Sequence, residues 1–145
     1  MKKTITIAVF TLFYINPSIS SKTINKINPD VNYDAKTDLI TSIGKVESEL
    51  KPDTTNQKEK ARGFLQIRPT CYQEANRILG YNAFDSTDCY NITKSVMIFT
   101  VIQDYYNPTW DKEIAAKLWN GGPQWHKKES VKNYWEKVKL YLKKY

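Results

Sequence analysis

The chain has 145 residues, a net charge of +7 and 41% hydrophobic residues, which suits one globular domain and excludes a disordered chain. Five glycines exclude a collagen-like repeat, and two cysteines exclude a disulfide-dense framework. The sequence therefore predicts a small, basic domain that is rich in aromatic residues.

Residues 1–20 have the pattern of a secretory signal peptide. Lys2 and Lys3 form a positive start, an apolar stretch covers 5–15, and the small residues Ser18 and Ser20 suit cleavage after position 20. Roughly eleven apolar-dominated positions are fewer than the ~20 that a membrane-spanning helix needs. We therefore expect an exported protein, periplasmic or secreted, with no stable membrane anchor after cleavage.

The next segment, 21–36, is polar and is expected to form a coil leader, because Asn28, Pro29 and Asp30 together form a turn signal. A first helix is predicted to begin with Thr37 as its cap and to end before Pro52. Its apolar stripe consists of Leu39, Ile43, Val46 and Leu50.

Four further helices are predicted. Thr70 and Gln73 form a capping box for the second, which Gly80 ends. Apolar residues recur at helical spacing over 92–106 for the third. Thr109 is expected to cap the fourth, which ends at the glycines 121 and 122, and the fifth begins near Val131. Only 63–68 alternates weakly like a strand, so we expect a mainly α fold of five or more helices with at most a short strand or hairpin.

Glu47 lies beside the apolar stripe of the first predicted helix. At 100° per residue it falls between Ile43 and Ile40, whereas Glu49 has no such flanking residues. Desolvation by apolar neighbours raises the pKa of a carboxyl group, which is the property that a glycosidase acid requires. The alternative is a boundary glutamate whose carboxylate reaches water or pairs with a lysine.

Cys71 and Cys89 are the only cysteines, and two interpretations of them are open. In an exported protein they could form a disulfide, or they could be two buried thiols. His126 is the only histidine, so we expect no metal site and no cofactor.

Residues 126–145 contain seven lysines and two glutamates. After cleavage at position 20 the chain retains 20 basic and 15 acidic residues, so this segment accounts for the whole remaining charge of +5. Such a segment could contact an anionic polymer or could be a solvated face. Because export is expected, nucleic acid is not an expected partner.

Four short motifs occur in one order along the chain. They are Glu47-Ser48, Gly63-Phe64-Leu65-Gln66-Ile67, Trp119-Asn120-Gly121-Gly122, and Tyr134 with the later Val138. Together they resemble the soluble lytic transglycosylase (SLT) domain, over nearly the whole chain that remains after cleavage at position 20. The resemblance implies a lysozyme-like fold, shared with goose-type lysozymes, in a catalytic domain at 37–145.

The resemblance also implies roles for individual residues. Glu47 corresponds to the catalytic acid and Ser48 to its companion serine, and Gln66, Trp119, Asn120 and Tyr134 correspond to substrate-binding positions. The residues themselves leave alternatives open: Gln66 could be a structural amide, Asn120 a helix cap, and Trp119 either a stacking surface or part of the core.

The sequence shows no second acid at a diagnostic spacing from Glu47, although most glycosidases use two carboxylates. A single glutamate suffices when the substrate's own 6-hydroxyl attacks, giving a 1,6-anhydro product. We therefore expect a monomeric, exported lytic transglycosylase that cleaves the β-1,4 bond between N-acetylmuramic acid and N-acetylglucosamine in peptidoglycan strands. A lysozyme-type hydrolase of the same bond and a non-catalytic peptidoglycan-binding module are the alternatives.

Overall fold

The computed structural model describes residues 29–142. Within them lie five α-helices, a two-stranded antiparallel sheet and two short 3₁₀ helices. The helices are α1 (Pro29–Ser48), α2 (Pro69–Leu79), α3 (Ile92–Tyr106), α4 (Lys112–Gly121) and α5 (Ser130–Lys139), the strands are β1 (Thr55–Asn56) and β2 (Ala61–Arg62), and the 3₁₀ helices are Asp88–Tyr90 and Trp125–Lys127. The expectation of a mainly α fold with a short hairpin is confirmed. The proposed signal peptide lies outside the described residues.

Helix α1 begins earlier and ends earlier than the sequence predicts. Residues 29–36 are helical rather than coil, so Thr37 is an interior residue and not the cap. A proline at the first helical position is also a helix-start signal, and Pro29 is the first residue of α1. Lys36 anchors this extra part of the helix, because its Nζ lies 3.8 Å from the centroid of the Trp110 ring.

At the other end of α1, Glu49 and Leu50 turn the chain out of the helix in left-handed conformations, with φ of 57° and 67°. The Leu50 amide donates to the carbonyl of Gly44, six residues back, at 3.1 Å, and this bond satisfies a carbonyl of the last turn of the helix. Leu39 and Ile43 are buried as predicted, but Leu50 is 39% exposed. The predicted stripe is wrong at Leu50 because the helix has already ended there.

The hairpin lies between α1 and α2. Thr55 pairs with Arg62 and Asn56 with Ala61, and an isolated bridge joins Arg62 to Ile67. The extended character predicted for 63–68 is therefore limited to the return of the chain toward Ile67. This arrangement brings the turn of the hairpin beside the start of α2.

Two predicted caps are replaced by other residues. Thr70 lies within α2, which starts at Pro69 without a side-chain cap, so the capping box with Gln73 is not formed. Thr109 does not cap α4, because the side chain of Asp111 accepts from the Ile114 amide at 2.8 Å instead. The start signal of α2 is thus Pro69 at its first position, and that of α4 is Asp111, which directly precedes the helix. Gly80 ends α2 in the left-handed conformation, as predicted.

The helices enclose one core. Helix α2 packs against α3, α4 packs against α5, and α1 packs against α5. The core includes residues from each of these helices and from the loop after the hairpin, among them Ile43, Leu65, Ala75, Phe99 and Val138. In the described part of the chain, no helix combines the length and apolar character needed to cross a bilayer.

Candidate functional site

A cavity of about 260 Å³ lies where the end of α1, the hairpin, the start of α2, α4 and α5 come together. We call it the Glu47 cleft. Four of the predicted site residues line it: Glu47, Gln66, Asn120 and Tyr134. They come from positions up to 87 residues apart, so the fold gathers the sequence motifs around one space.

Glu47 lies in the last turn of α1, and its carboxyl group contacts α5. The Tyr134 hydroxyl donates a hydrogen bond to Glu47 Oε1 at 2.7 Å. Burial raises the pKa of Tyr134 well above its usual value, so the phenol keeps its proton and acts as the donor. The bond fixes one oxygen of Glu47.

Burial also raises the pKa of Glu47 above its ordinary value. The Tyr134 hydrogen bond and the positive charge of Arg68 act in the opposite direction, whereas the negative charge of Glu59 raises the pKa further. Desolvation is the largest of these effects, as expected for a carboxyl group beside apolar residues. The arrangement favours a glutamate that keeps its proton at a higher pH than an exposed one.

Gln66 borders the cleft in a strained backbone conformation, with φ of 48°. Its side-chain Nε2 donates to the Gly63 carbonyl at 2.9 Å and to the Thr54 carbonyl at 3.3 Å. The amide nitrogen therefore has a structural role, because it holds two backbone carbonyls. The amide oxygen, Oε1, has no hydrogen-bond partner among the described residues. The two interpretations of Gln66 are thus compatible with each other.

Ser48 connects α1 to the loop that contains Gln66 and is not part of the cleft lining. Its hydroxyl donates to the Phe64 carbonyl at 2.8 Å and accepts from the Lys51 amide at 3.1 Å. Both contacts are with backbone groups, so the geometry gives Ser48 a part in positioning the loop beside Glu47.

Trp119 also lies outside the Glu47 cleft, and its burial favours the second of the two open interpretations, that of a core residue. It is 7% exposed, and its ring centroid lies 4.8 Å from that of Phe99. Its indole Nε1 donates to the Leu65 carbonyl at 3.1 Å. Trp119 therefore holds the backbone of Leu65, the residue before Gln66, from the side of the core.

Asn120 lies inside α4, which continues through Gly121, so it is not the helix cap. Gly122 takes the cap position, with φ of 74°. The Asn120 side chain lines the Glu47 cleft and makes no hydrogen bond within residues 29–142. It is thereby available to a ligand.

The cleft also contains polar residues that the sequence analysis missed: Asn56, Glu59, Arg68 and Lys137. Glu59 and Arg68 form an ion pair of 3.1 Å. Glu59 lies in the hairpin turn and Arg68 directly before α2. Neither position has a periodic sequence pattern that could predict whether its side chain faces Glu47. Lys137 was identifiable in principle, because it follows Tyr134 by one helical turn.

Cys71 and Cys89 are free cysteines in the structure, which favours the second of the two open interpretations, that of two unpaired thiols. Cys89 is buried in the core, and its Sγ points to the Asp85 carbonyl at 3.8 Å. Burial raises the pKa of Cys89 to about 11 and that of Cys71 above its usual range.

No group of three or more His, Cys, Asp or Glu side chains within the described range is arranged to hold a metal ion. The polar groups of the Glu47 cleft are instead a carboxyl with a raised pKa, amides, a phenol, an ion pair and the Lys137 side chain. Such a set can donate and accept one proton and can hydrogen-bond a polar, uncharged ligand such as a sugar.

Comparison with protein-family models matches the transglycosylase SLT domain over residues 25–142. No curated protein gives a significant match to the chain. The family match includes every residue of the Glu47 cleft, and the mainly helical fold agrees with the lysozyme-like architecture that the resemblance implies. The family is one of peptidoglycan-related transglycosylases. The chain belongs to the transglycosylase SLT domain family.

Proposed function

We propose that this protein is an exported lytic transglycosylase that cleaves peptidoglycan between N-acetylmuramic acid and N-acetylglucosamine, with Glu47 as its catalytic acid and base. The observation that carries the proposal is the environment of Glu47. The carboxyl group is desolvated, has a raised pKa, and is fixed by the Tyr134 hydroxyl in a cleft that is also lined by the Gln66 and Asn120 side chains.

In the proposed reaction, the Glu47 carboxyl group gives its proton to the bridging oxygen, and the bond from that oxygen to C1 of N-acetylmuramic acid breaks. The N-acetylglucosamine end leaves with a free 4-hydroxyl. The Glu47 carboxylate then takes the proton of the 6-hydroxyl of the same N-acetylmuramic acid, and that oxygen bonds to C1. Glu47 recovers its proton, and no water is consumed.

The other groups of the cleft suit this substrate. Gln66 Oε1 and the Asn120 amide can hydrogen-bond hydroxyl and acetamido groups. Their assignment as substrate-binding residues is part of the proposal, as are the positioning roles of Ser48 and Trp119. The export of the protein rests on the pattern of residues 1–20, and the site of action is then the cell wall.

Hydrolysis is the second candidate, because the structure brings a second carboxylate, Glu59, to the same cleft. A hydrolase would use this group to activate water. Glu59 Oε2 is instead paired with Arg68 Nε at 3.1 Å, so this carboxylate oxygen is already engaged by the guanidinium and is not free to position a water. We therefore favour transglycosylation.

The exchange Glu47→Gln tests the assignment. The amide keeps the shape of the side chain and can still accept the Tyr134 hydrogen bond, but it cannot transfer a proton. We expect a loss of sacculus lysis of at least about a thousandfold, as for removal of an essential acid. Lysis is measured as the fall in turbidity of purified sacculi.

Glu49→Gln is the matched control. It makes the same chemical change two residues away, at an exposed side chain that pairs with Lys51. Lysis by this variant is expected to equal that of the parent. Comparable lysis by the Glu47 and Glu49 variants would refute the role of Glu47, and an inert parent would refute the enzymatic function in favour of a binding module.

A further inference from the structure

The Glu47 cleft contains an ion pair that the reaction itself does not use. Arg68 Nε and Glu59 Oε2 are 3.1 Å apart, and both residues line the cleft together with Glu47. Such a pair contributes little to stability when it is half exposed to water. Its main effect is therefore expected from the two charges that it places in the same cleft as the carboxyl group of Glu47.

The backbone fixes both partners. Glu59 lies in the hairpin turn, where its amide donates to Asn56 Oδ1 at 3.2 Å and the next residue, Lys60, is held at φ of 54°. Arg68 stands in an extended conformation directly before α2, and its carbonyl accepts the Cys71 amide at 2.9 Å. The pair thus joins the hairpin turn to the start of α2 across the cleft wall.

The two partners act on Glu47 in opposite directions. The positive charge of Arg68 favours the ionised form of Glu47, and the negative charge of Glu59 favours the protonated form. The remaining ionisable groups near the cleft are Tyr134 and Lys137 on α5 and Cys71 on α2. Tyr134 donates to Glu47, the Cys71 thiol is neutral because burial raises its pKa, and Lys137 is exposed.

We propose that Glu59 is a positioning residue, which holds the Arg68 guanidinium at the cleft wall and balances its charge so that Glu47 keeps its proton at the working pH. The inference rests on the proposed role of Glu47 as the acid. Without Glu59, an unbalanced cation would stand beside Glu47 and stabilise its carboxylate. Without Arg68, the opposite change is expected, because the carboxylate of Glu59 would then be unbalanced.

The test is the titration of Glu47 in Glu59→Gln and in Arg68→Gln. The ¹³C shift of its carboxyl carbon is followed by NMR against pH, with the signal assigned by its absence in Glu47→Gln. We expect the midpoint to fall in Glu59→Gln and to rise in Arg68→Gln, each by on the order of half a pH unit for partly exposed charges. The alkaline limb of kcat/KM should move in the same directions.

Glu136→Gln is the control, since it removes a carboxylate from a pair with Lys139 that lies outside the cleft. It should leave the midpoint where it is in the parent. If Arg68→Gln does not fold, Arg68→Met retains the aliphatic length and gives the same comparison.

Midpoint shifts of opposite sign in Glu59→Gln and Arg68→Gln would support the proposal. If the ion pair were only a structural contact, its loss would move the Glu47 midpoint in the same direction in both variants. Shifts in one direction, or shifts no larger than that of Glu136→Gln, would overturn it. Failure of the proposed function is a separate result: the parent would not lyse sacculi, although the two titrations still moved apart.

Discussion

At the scale of single residues, the protonation of Glu47 depends on groups from three distant parts of the chain. Helix α1 carries the buried carboxyl group, α5 supplies the Tyr134 hydroxyl, and the region from the hairpin turn to α2 supplies Glu59 and Arg68. Burial has the largest effect and raises the pKa of the carboxyl group, whereas the hydrogen bond lowers it and partly offsets burial. The position of the proton is therefore a property of the folded structure.

Tyr134→Phe removes only the hydroxyl that donates to Glu47. Because this bond lowers the pKa of Glu47, its loss raises that pKa, and the alkaline limb of the pH profile of kcat/KM should move to higher pH. We also expect kcat to fall roughly tenfold, the equivalent of one lost hydrogen bond. Tyr141→Phe, at an exposed position, is the control. A limb that moves to lower pH would contradict this account of the bond.

Glu47→Gln should also change how stability depends on pH. The folded-state pKa of Glu47 is raised, so the folded protein binds its proton more tightly than the unfolded chain does. Below the ordinary pKa of 4.5 the parent and the variant should be equally stable. As pH rises through the raised pKa, the parent loses stability and the variant does not.

Urea unfolding of both proteins from pH 4 to pH 8 measures this difference in the free energy of unfolding. The variant is expected to be the more stable protein at neutral pH. The buried acid of the parent thus lowers its stability at that pH, as functional residues often do. A variant that is less stable than the parent at pH 8 would show that the Glu47 carboxylate is well solvated.

At the scale of elements, the contact between the loop after the hairpin and the Asp88–Tyr90 helix sets the position of Gln66. Gly63 has φ of 74°, and a Cβ built on it would lie 1.7 Å from the Cys89 carbonyl oxygen. Ser48 holds the next residue, Phe64, from the other side through its carbonyl. The loop can approach closely only because position 63 has no side chain.

Gly63→Ala should therefore be strongly destabilising, by about 3 kcal/mol or more, because strain at positive φ adds to a backbone clash. Gly80→Ala is the matched control. Its φ is 79°, and nothing lies within 4 Å of the added Cβ, so only the cost of the left-handed conformation, about 1 kcal/mol, is expected. Equal losses in urea unfolding would show that the Cys89 contact does not restrict position 63.

The elements also show which features a sequence can predict. Helical spacing correctly predicts α3, and it places Glu47 beside Ile43, because both depend on one helix alone. The caps at Thr70 and Thr109 were wrong, since several residues near each helix start could serve and local packing selects among them. The sequence could not predict that Glu59 and Arg68 line the cleft. A four-residue turn and a single residue before a proline have no periodicity from which the orientation of a side chain can be predicted.

At the scale of the whole molecule, the positive charge is concentrated in residues 126–145. Within the described part of this segment, Lys132 pairs with Glu129 and Lys139 with Glu136. Lys143 and Lys144 lie outside the described residues. We propose that the segment attracts the enzyme to an anionic cell wall without taking part in the chemistry.

Replacing Lys139, Lys143 and Lys144 with Gln tests this attraction. Exposed charges act over about 8 Å at physiological salt, so binding to sacculi should weaken at low ionic strength and should equal that of the parent as salt rises. Turnover of short soluble glycan fragments should not change, because the proposed attraction acts on association with the wall and not on the chemistry at Glu47. Unchanged binding at low salt would show that the lysines form an ordinary solvated face.

The most direct test of the central claim is mass spectrometry of the fragments that the purified protein releases from sacculi. If Glu47 transfers its proton and the 6-hydroxyl of the substrate attacks, each new N-acetylmuramic acid end is an anhydro end and is one water lighter than a hydrolysed end. Glu47→Gln should release none of these fragments, whereas Glu49→Gln should release them as the parent does. New ends that carry the full mass of a hydrolysed sugar would contradict transglycosylation, and release by Glu47→Gln at the parent's rate would contradict the assignment of the acid.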